Sequence, residues 1–430
     1  MFKKHYILPA VIASTLMFSG CSIDNTGLNT VGGNLVDASI IEEINASTML
    51  SIVNASIDPS AVNAFGYKAV KITYDTKGQN DEDIKASGLL VIPIASQEYQ
   101  AYRASQGQSQ FSISMICDNH GTIFTDAEAP SNIETSNGIP DHPLAVTMTS
   151  YAGFAAVLPD YIGYGESNDK SHPYLLKKAS ARSSLDMIKA SIRYMTENGI
   201  LFNGQLYISG YSQGGYNALA LAQDIEQNHS DELQIKGVAP MAAPSQLKSF
   251  GDAVLQSDAT MSVPAFMAYI ADAYSNSYDN LTLQEMIQDT KEAAFDGLFA
   301  GDKNSTMIHY TLGMGLNAPT NQLFEDDFIT QYSNDENHKL KQLFNANDVV
   351  MWNSNSKINL IHCSNDDVVP ASISAGAYAY LTNYGSTDVT LTLIDGVTAD
   401  YSAGESIHAN CATSTYGTAI SWFSQIREGN

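Results

Sequence analysis

Residues 206–225, LYISGYSQGGYNALALAQDI, run from a strand-like apolar stretch, through a Ser between glycines, into a helix-like stretch. GYSQGG at 210–215 has two readings: an ordinary glycine-rich connection, or a tight turn that presents Ser212 as a nucleophile. The strand–Gly–x–Ser–x–Gly–helix context is the one a nucleophile elbow needs, because the backbone at the Ser is strained and the helix packs close to the strand. Such a turn lifts the Ser hydroxyl above a sheet and puts the Gln213 N–H at a helix N-terminus, where an oxyanion would sit. A Ser hydroxyl is a poor nucleophile until a base takes its proton. The rest of the chain has to supply that base.

Upstream, YKAVKITYDT (67–76), ASGLLVIPI (86–94), FSISMICDN (111–119) and AAVLP (155–159) read as strands, rich in β-branched residues and bounded by turn residues. Residues 180–199 carry Leu185, Ile188, Ile192 and Met195 on one helical face and stop at Gly199. Downstream, IKGVAPMAAP (235–244), KINLIHC (357–363) and DVTLTLI (388–394) read as strands, with helices near 371–384 and from about 412 to 426. This alternation predicts an α/β fold with a mostly parallel sheet covered on both faces. The stretch 246–355 breaks the rhythm. It is helix-like and stocked with Met261, Phe266, Met267, Tyr269, Tyr274, Tyr278, Phe295, Phe299, Phe324 and Phe328. It reads as a helical cap over the carboxyl edge of the sheet, with these residues as the cap's own core.

Of nine histidines, five follow Ser212: His229, His309, His338, His362 and His408. In the Ser–acid–His order that accompanies this elbow, the acid precedes the base. SNDDVVP, after the strand at 357–363, offers Asp366 and Asp367, and His408 is the one histidine beyond them. Placed in the loop before the last helix, His408 is the candidate base, against a capping or surface role. Asp366 is the candidate acid, accepting the His408 Nδ1–H and holding its tautomer. Asp367 reads as a loop carboxylate, or as a charge at the N-terminus of the helix that follows it. The second oxyanion donor is expected from the loop after an earlier strand. CDNHGTIF (117–124) supplies the Thr122 N–H there, with Gly121 permitting close approach and His120 bracing the loop.

The N-terminus reads as an export signal. MFKK is basic, YILPAVIASTLMF is apolar but short for a membrane span, and FSGC puts small residues before Cys21. FSGC resembles a bacterial lipobox, with Cys21 as the lipidated first residue of the mature chain. Phe18 stands where Leu is usual, so cleavage without lipidation is the alternative. Without Lys3 and Lys4 the chain has 19 basic against 46 acidic residues, a formal charge of −27. That charge repels nucleic acid and anionic headgroups and sets nucleic-acid binding aside. No Cys–x–x–Cys or His–x–x–x–His spacing occurs, so nothing argues for a metal site, and an acyl-enzyme on a Ser–His–Asp triad would need no cofactor.

Together, NHGT (119–122), LPDYIGYGES (158–167), HPYL (172–175), GYSQGG (210–215), HCSNDDVVP (362–370) and IHANCA (407–412) resemble the α/β-hydrolases, and more narrowly the secretory lipase group. The resemblance runs from about residue 67 to the C-terminus. It implies Ser212, Asp366 and His408 as the triad, Thr122 and Gln213 as the oxyanion hole, and a cap where 246–355 lies. HCS departs from the HG pair common before the acid. It places Cys363 three residues before Asp366, as Cys411 lies three after His408. A Cys363–Cys411 disulfide would staple the two loops; the alternative is two buried thiols.

The expected organisation is a signal peptide at 1–20, a tether and lead-in at 21–66, hydrolase core at 67–245 and 356–430, and the cap at 246–355. The expected function is a serine hydrolase of carboxylic esters, working on ester or lipid substrates through an acyl-enzyme. The expected location is outside the cytoplasm, held to a membrane by a lipid anchor at Cys21 or else periplasmic or secreted. Two alternatives remain. A secreted serine peptidase shares the triad, with Glu325, Asp326 and Asp327 to receive a substrate amine. A binding lipoprotein on a hydrolase scaffold would not need every chemical position filled.

Overall fold

The computed structural model describes residues 34–49, 65–105, 107, 111–132, 135–136, 139–140, 143–255, 259–401 and 405–429. The expected leader at 1–20 and Cys21 lie outside the described residues. Among the described residues nine strands form one sheet: β1 (Leu35–Ile44), β2 (Gly66–Lys77), β3 (Asp83–Ile94), β4 (Ser112–Asn119), β5 (Ala155–Pro159), β6 (Leu201–Tyr211), β7 (Ile235–Met241), β8 (Ile358–Cys363) and β9 (Val389–Ile394). Their order is β1-β2-β3-β5-β4-β6-β7-β8-β9. β1, β2, β3 and β5 pair antiparallel, and every pairing from β5 onward is parallel.

The parallel strands are continuous apolar runs because both faces are covered. AAVLP of β5 and INLIHC of β8 are buried at every residue. Alternate residues feed two cores. Leu206 and Ile208 of β6 face one cluster, with Leu185 and Ile188 of α1 (Lys177–Glu197), Leu219 and Ala222 of α2 (Gln213–Asn228), and Ala377 and Leu381 of α3 (Ala371–Asn383). Tyr207 and Tyr211 face the other, with Cys411, Ile420 and Phe423 of α4 (Ile407–Glu428).

Two expectations gain detail and one is corrected. Within residues 21–66, the expected tether and lead-in, β1 lies as an edge strand. Its apolar–polar alternation is broken by two register shifts, and Ile40 is exposed, so the period of two that marks a strand is missing. The core of the insertion between β7 and β8 is continuous with that of the body. Met267, Tyr269, Tyr274, Phe324 and Phe328 pack in the same cluster as Ile208, Val238 and Leu219 of the body. The helix Pro264–Ser277 is buried on several sides, and its Ala265, Ala268 and Ala271 allow close seating. Finally, α4 begins at Ile407, so His408 sits in a first helical turn rather than in a loop. Among the described residues no helix is long and apolar enough to cross a membrane.

Candidate active site

β6 ends at Tyr211 and α2 begins at Gln213, leaving Ser212 as the single connecting residue. Its backbone has φ 58° and ψ −119°, a conformation that side-chain-bearing residues rarely adopt. Such strain costs of order 1–3 kcal/mol and persists only where the surroundings impose it. Here Ser212 N–H donates to Met241 O at 2.8 Å, and Ser212 O accepts from Gly215 and Tyr216 N–H. The glycines are needed for close approach: a Cβ on Gly214 would lie 1.8 Å from Asn119 O, and one on Gly210 2.2 Å from Gly214 O. The Ser212 side chain makes no capping bond to α2. Its hydroxyl donates instead to His408 Nε2 at 2.9 Å.

His408 Nδ1–H donates to Asp366 Oδ2 at 2.7 Å, which leaves Nε2 free to accept the serine proton. Asp366 Oδ1 accepts the N–H groups of Val368 and Val369, both at 2.9 Å. The buried His362 stands behind it, 3.4 Å from Oδ2, its Nε2–H on Val369 O and its Nδ1 on the Ser374 hydroxyl. Burial alone would raise the Asp366 pKa. Hydrogen bonds from His362 and His408, the charge of His408 and the Val368 N–H outweigh it and hold the carboxyl well below the usual range.

The other two sequence candidates flank Ser212. A Cβ on Gly121 would lie 3.2 Å from Tyr211 O and 3.9 Å from Ser212 Cβ, so the loop carrying Thr122 runs beside the elbow. Among the described residues neither Thr122 N–H nor Gln213 N–H has a protein acceptor. Thr122 Oγ1 bonds the Tyr174 hydroxyl at 2.7 Å. The His120 ring stacks on Tyr161 at 4.0 Å, with nitrogens facing Gly121 O and Asp160 O.

Sequence reasoning missed four supports. The Gln213 side-chain amide donates to His172 Nε2 at 2.7 Å, while His172 Nδ1–H donates to Ile162 O. Burial pushes the His172 ring down to about 3, so it stays neutral in this role. The Tyr211 hydroxyl donates to the His408 carbonyl. Asp367, expected as a loop carboxylate or a charge at the N-terminus of α3, instead faces α4: it accepts the His408 N–H at 3.0 Å and the Ile407 N–H at 3.2 Å. Ser406, just ahead of Ile407, was the available sign that α4 starts early. Behind the elbow, Asp118 accepts from Ser209 of β6 and Tyr416 of α4, and burial raises its carboxyl to about 7 against those two bonds.

The sulfurs of Cys363 and Cys411 lie 2.02 Å apart, and Cys117 is a buried free thiol. Beside Thr122, the rings of Tyr174, Tyr269 and Phe299 stack at 4.7 and 4.2 Å, with Phe124 against Phe266 and Tyr269. This aromatic wall joins body and insertion. Asp326 and Asp327 are exposed in the first turn of the helix Asp326–Asn334, and Glu325 accepts the Asp289 N–H. Among the described residues no cluster of three or more His, Cys, Asp or Glu is placed to hold a metal ion.

A family model described as secretory lipase matches residues 128–429. No curated protein matches the chain. Among solved structures, the rice cell wall degrading esterase LipA from Xanthomonas oryzae is similar over 90% of this chain and 96% of its own, at 22% identity and a TM-score of 0.76. Candida antarctica lipase A in its closed state is similar over 87% of this chain and 80% of its own, at 14% identity and a TM-score of 0.58. At these identities the likeness is one of fold, and the fold is that of the α/β-hydrolases.

Proposed function

The chain belongs to the secretory lipase family, and from that premise we propose that it hydrolyses carboxylic esters through an acyl-enzyme on Ser212. The observation that carries this is one unbroken relay: Ser212 Oγ to His408 Nε2 at 2.9 Å, and His408 Nδ1 to Asp366 at 2.7 Å. Ser212 Oγ forms a bond to the ester carbonyl carbon as His408 Nε2 takes its proton. The carbonyl oxygen, now an anion, is held by the N–H groups of Thr122 and Gln213. Collapse breaks the ester C–O bond, and His408 gives its proton to the leaving alcohol. Water, deprotonated by His408, then releases the acid and restores Ser212. Asp366 stays ionised and holds the imidazolium, in keeping with a carboxyl kept well below its usual range.

Phe266 and Phe299, the half-buried rings of the aromatic wall, suit the apolar portion of an ester or lipid substrate, and the segment 246–355 acts as its cap. Membership of a secretory family makes the chain an exported protein. Anchorage to a membrane through a lipidated Cys21 is the finer part of the proposal, as is a Cys363–Cys411 bridge pinning the acid and base. No observation favours the peptidase: Glu325 has a main-chain partner, and Asp326 and Asp327 serve the N-terminus of their own helix.

The test compares p-nitrophenyl esters from acetate to palmitate with aminoacyl p-nitroanilides, using the wild-type chain and Ser212→Ala. Ester turnover that disappears in Ser212→Ala, with no anilide turnover, is the expected result. Anilide turnover exceeding ester turnover would replace this reading with the peptidase.

A further inference from the structure

Two consecutive carboxylates hold different parts of His408. Asp366 takes the ring, and Asp367 takes the main chain: Oδ1 accepts the His408 N–H at 3.0 Å and Oδ2 the Ile407 N–H at 3.2 Å. The first N–H groups of a helix have no partner inside it. In α4 those of Ile407 and His408 go to Asp367, and that of Ala409 goes to the Ser406 hydroxyl at 3.0 Å. The His408 carbonyl is held from the other side by the Tyr211 hydroxyl. The histidine is therefore gripped at its N–H, its C=O and both ring nitrogens.

Any carboxylate at this helix end would favour the helix electrostatically. What distinguishes Asp367 is that one of the two groups it grips belongs to the base. The turn that presents it is itself braced, because Asp366 Oδ1 accepts from Val368 and Val369. One rigid turn thus sets the ring acceptor and the main-chain acceptor at fixed spacing. Ser262, next to the insertion's strand Thr260–Met261, donates to the Asp367 carbonyl at 2.9 Å and ties the insertion to the same turn.

We propose that Asp367 is a positioning residue for the base, setting the depth of the His408 imidazole so that Nε2 meets Ser212 while Nδ1 meets Asp366. This rests on the reading of Ser212, His408 and Asp366 as the triad. Its test compares Asp367→Ala, Asp367→Asn and Ser406→Ala in the full chain, with reactive sites counted by fluorophosphonate titration so that kcat is expressed per reactive Ser212. Ser406→Ala opens the same helix end without touching His408.

Asp367→Ala is expected to lower kcat per site by about 10- to 100-fold with KM little changed, since small misplacements of a reacting group carry losses of that order. Asp367→Asn, which keeps one acceptor oxygen, falls between Asp367→Ala and wild type. Ser406→Ala lowers Tm by a few degrees and leaves kcat per site at the wild-type value. If Asp367→Ala lowers Tm like Ser406→Ala and keeps wild-type kcat per site, Asp367 is a helix cap and the proposal is overturned. Should Asp367→Ala fail to fold, the nearly isosteric Asp367→Asn decides, and wild-type kcat in it overturns the proposal equally. A wild-type chain that takes up no fluorophosphonate on Ser212 would overturn the triad reading itself, a different result from either.

Discussion

Two helices bring their N-termini to the candidate site, and they treat their unpaired N–H groups in opposite ways. At α2 the N-terminal residue Ser212 withholds its side chain from capping, and the Gln213 N–H has no acceptor among the described residues. At α4 the N–H groups of Ile407, His408 and Ala409 are all taken, by Asp367 and Ser406. Both ends carry the positive pole of a helix dipole. The open end is suited to a negative charge that exists only during reaction, whereas the closed end gives the Ile407 and His408 donors to Asp367, the proposed positioning residue, and the Ala409 donor to the cap Ser406. Openness costs stability at Ser212, where the backbone is strained, and the closed end of α4 offsets some of that cost.

The largest expected effect breaks the open end chemically. Ser212→Ala should lower ester turnover by about 10⁴- to 10⁶-fold, the range seen when a triad nucleophile is removed. Its circular dichroism should match wild type, and retained turnover would mean that the open end serves some other group. Next comes Gly214→Ala, whose Cβ would fall 1.8 Å from Asn119 O. A clash with main chain cannot be relieved by a rotamer change, so a loss of about 4 kcal/mol or more is expected. Urea unfolding measures it, and a wild-type midpoint would contradict the close packing at the elbow.

Smaller effects test the closed end. Cys363 and Cys411 are 48 residues apart, so replacing both with Ser should cost roughly 3–4 kcal/mol on the chain-entropy estimate. Unfolding under non-reducing conditions measures this, and no change would mean that the two thiols are reduced in the isolated protein. A pH-dependent effect of similar size concerns Asp118, which links β6 behind the open end to α4. Its folded carboxyl is raised to about 7 by burial, against about 3.9 when unfolded. The folded state therefore binds the extra proton between those values, and stability falls as pH rises from about 4 to 7. Asp118→Asn removes that slope, so the Tm difference between variant and wild type should move in the variant's favour by a few degrees across this window. A difference independent of pH would contradict it.

The same comparison explains what could be read from the chain. The open end is local: GYSQGG, the strand before it and the helix after it span twenty contiguous residues, and their spacing carries the turn. The order of Asp366 and His408 was also legible, because one histidine alone follows the aspartates. The closed end is not local. Asp367 meets His408 across 41 residues, Tyr211 meets its carbonyl across 197, and Gln213 meets His172 across 41. None of these pairs has a periodic signature. The start of α4 was placed late because Ile407 and His408 lack helical signals of their own; the helix is drawn back to Ser406 by the side-chain oxygens that accept its first N–H groups. β1 escaped notice because bulges and exposure erase its alternation. The aromatic residues of 246–355 were recognised as buried, but whether they faced each other or the sheet depends on packing that no spacing encodes.

The Ser212–His408 relay is tested by site mapping with a fluorophosphonate followed by peptide mass analysis, on the wild-type chain and on His408→Ala. One adduct is expected on the wild-type chain, on the peptide containing Ser212, with labelling slowed at least about 10³-fold when His408 is removed. An adduct on another serine, or equally fast labelling of Ser212 without His408, would contradict it.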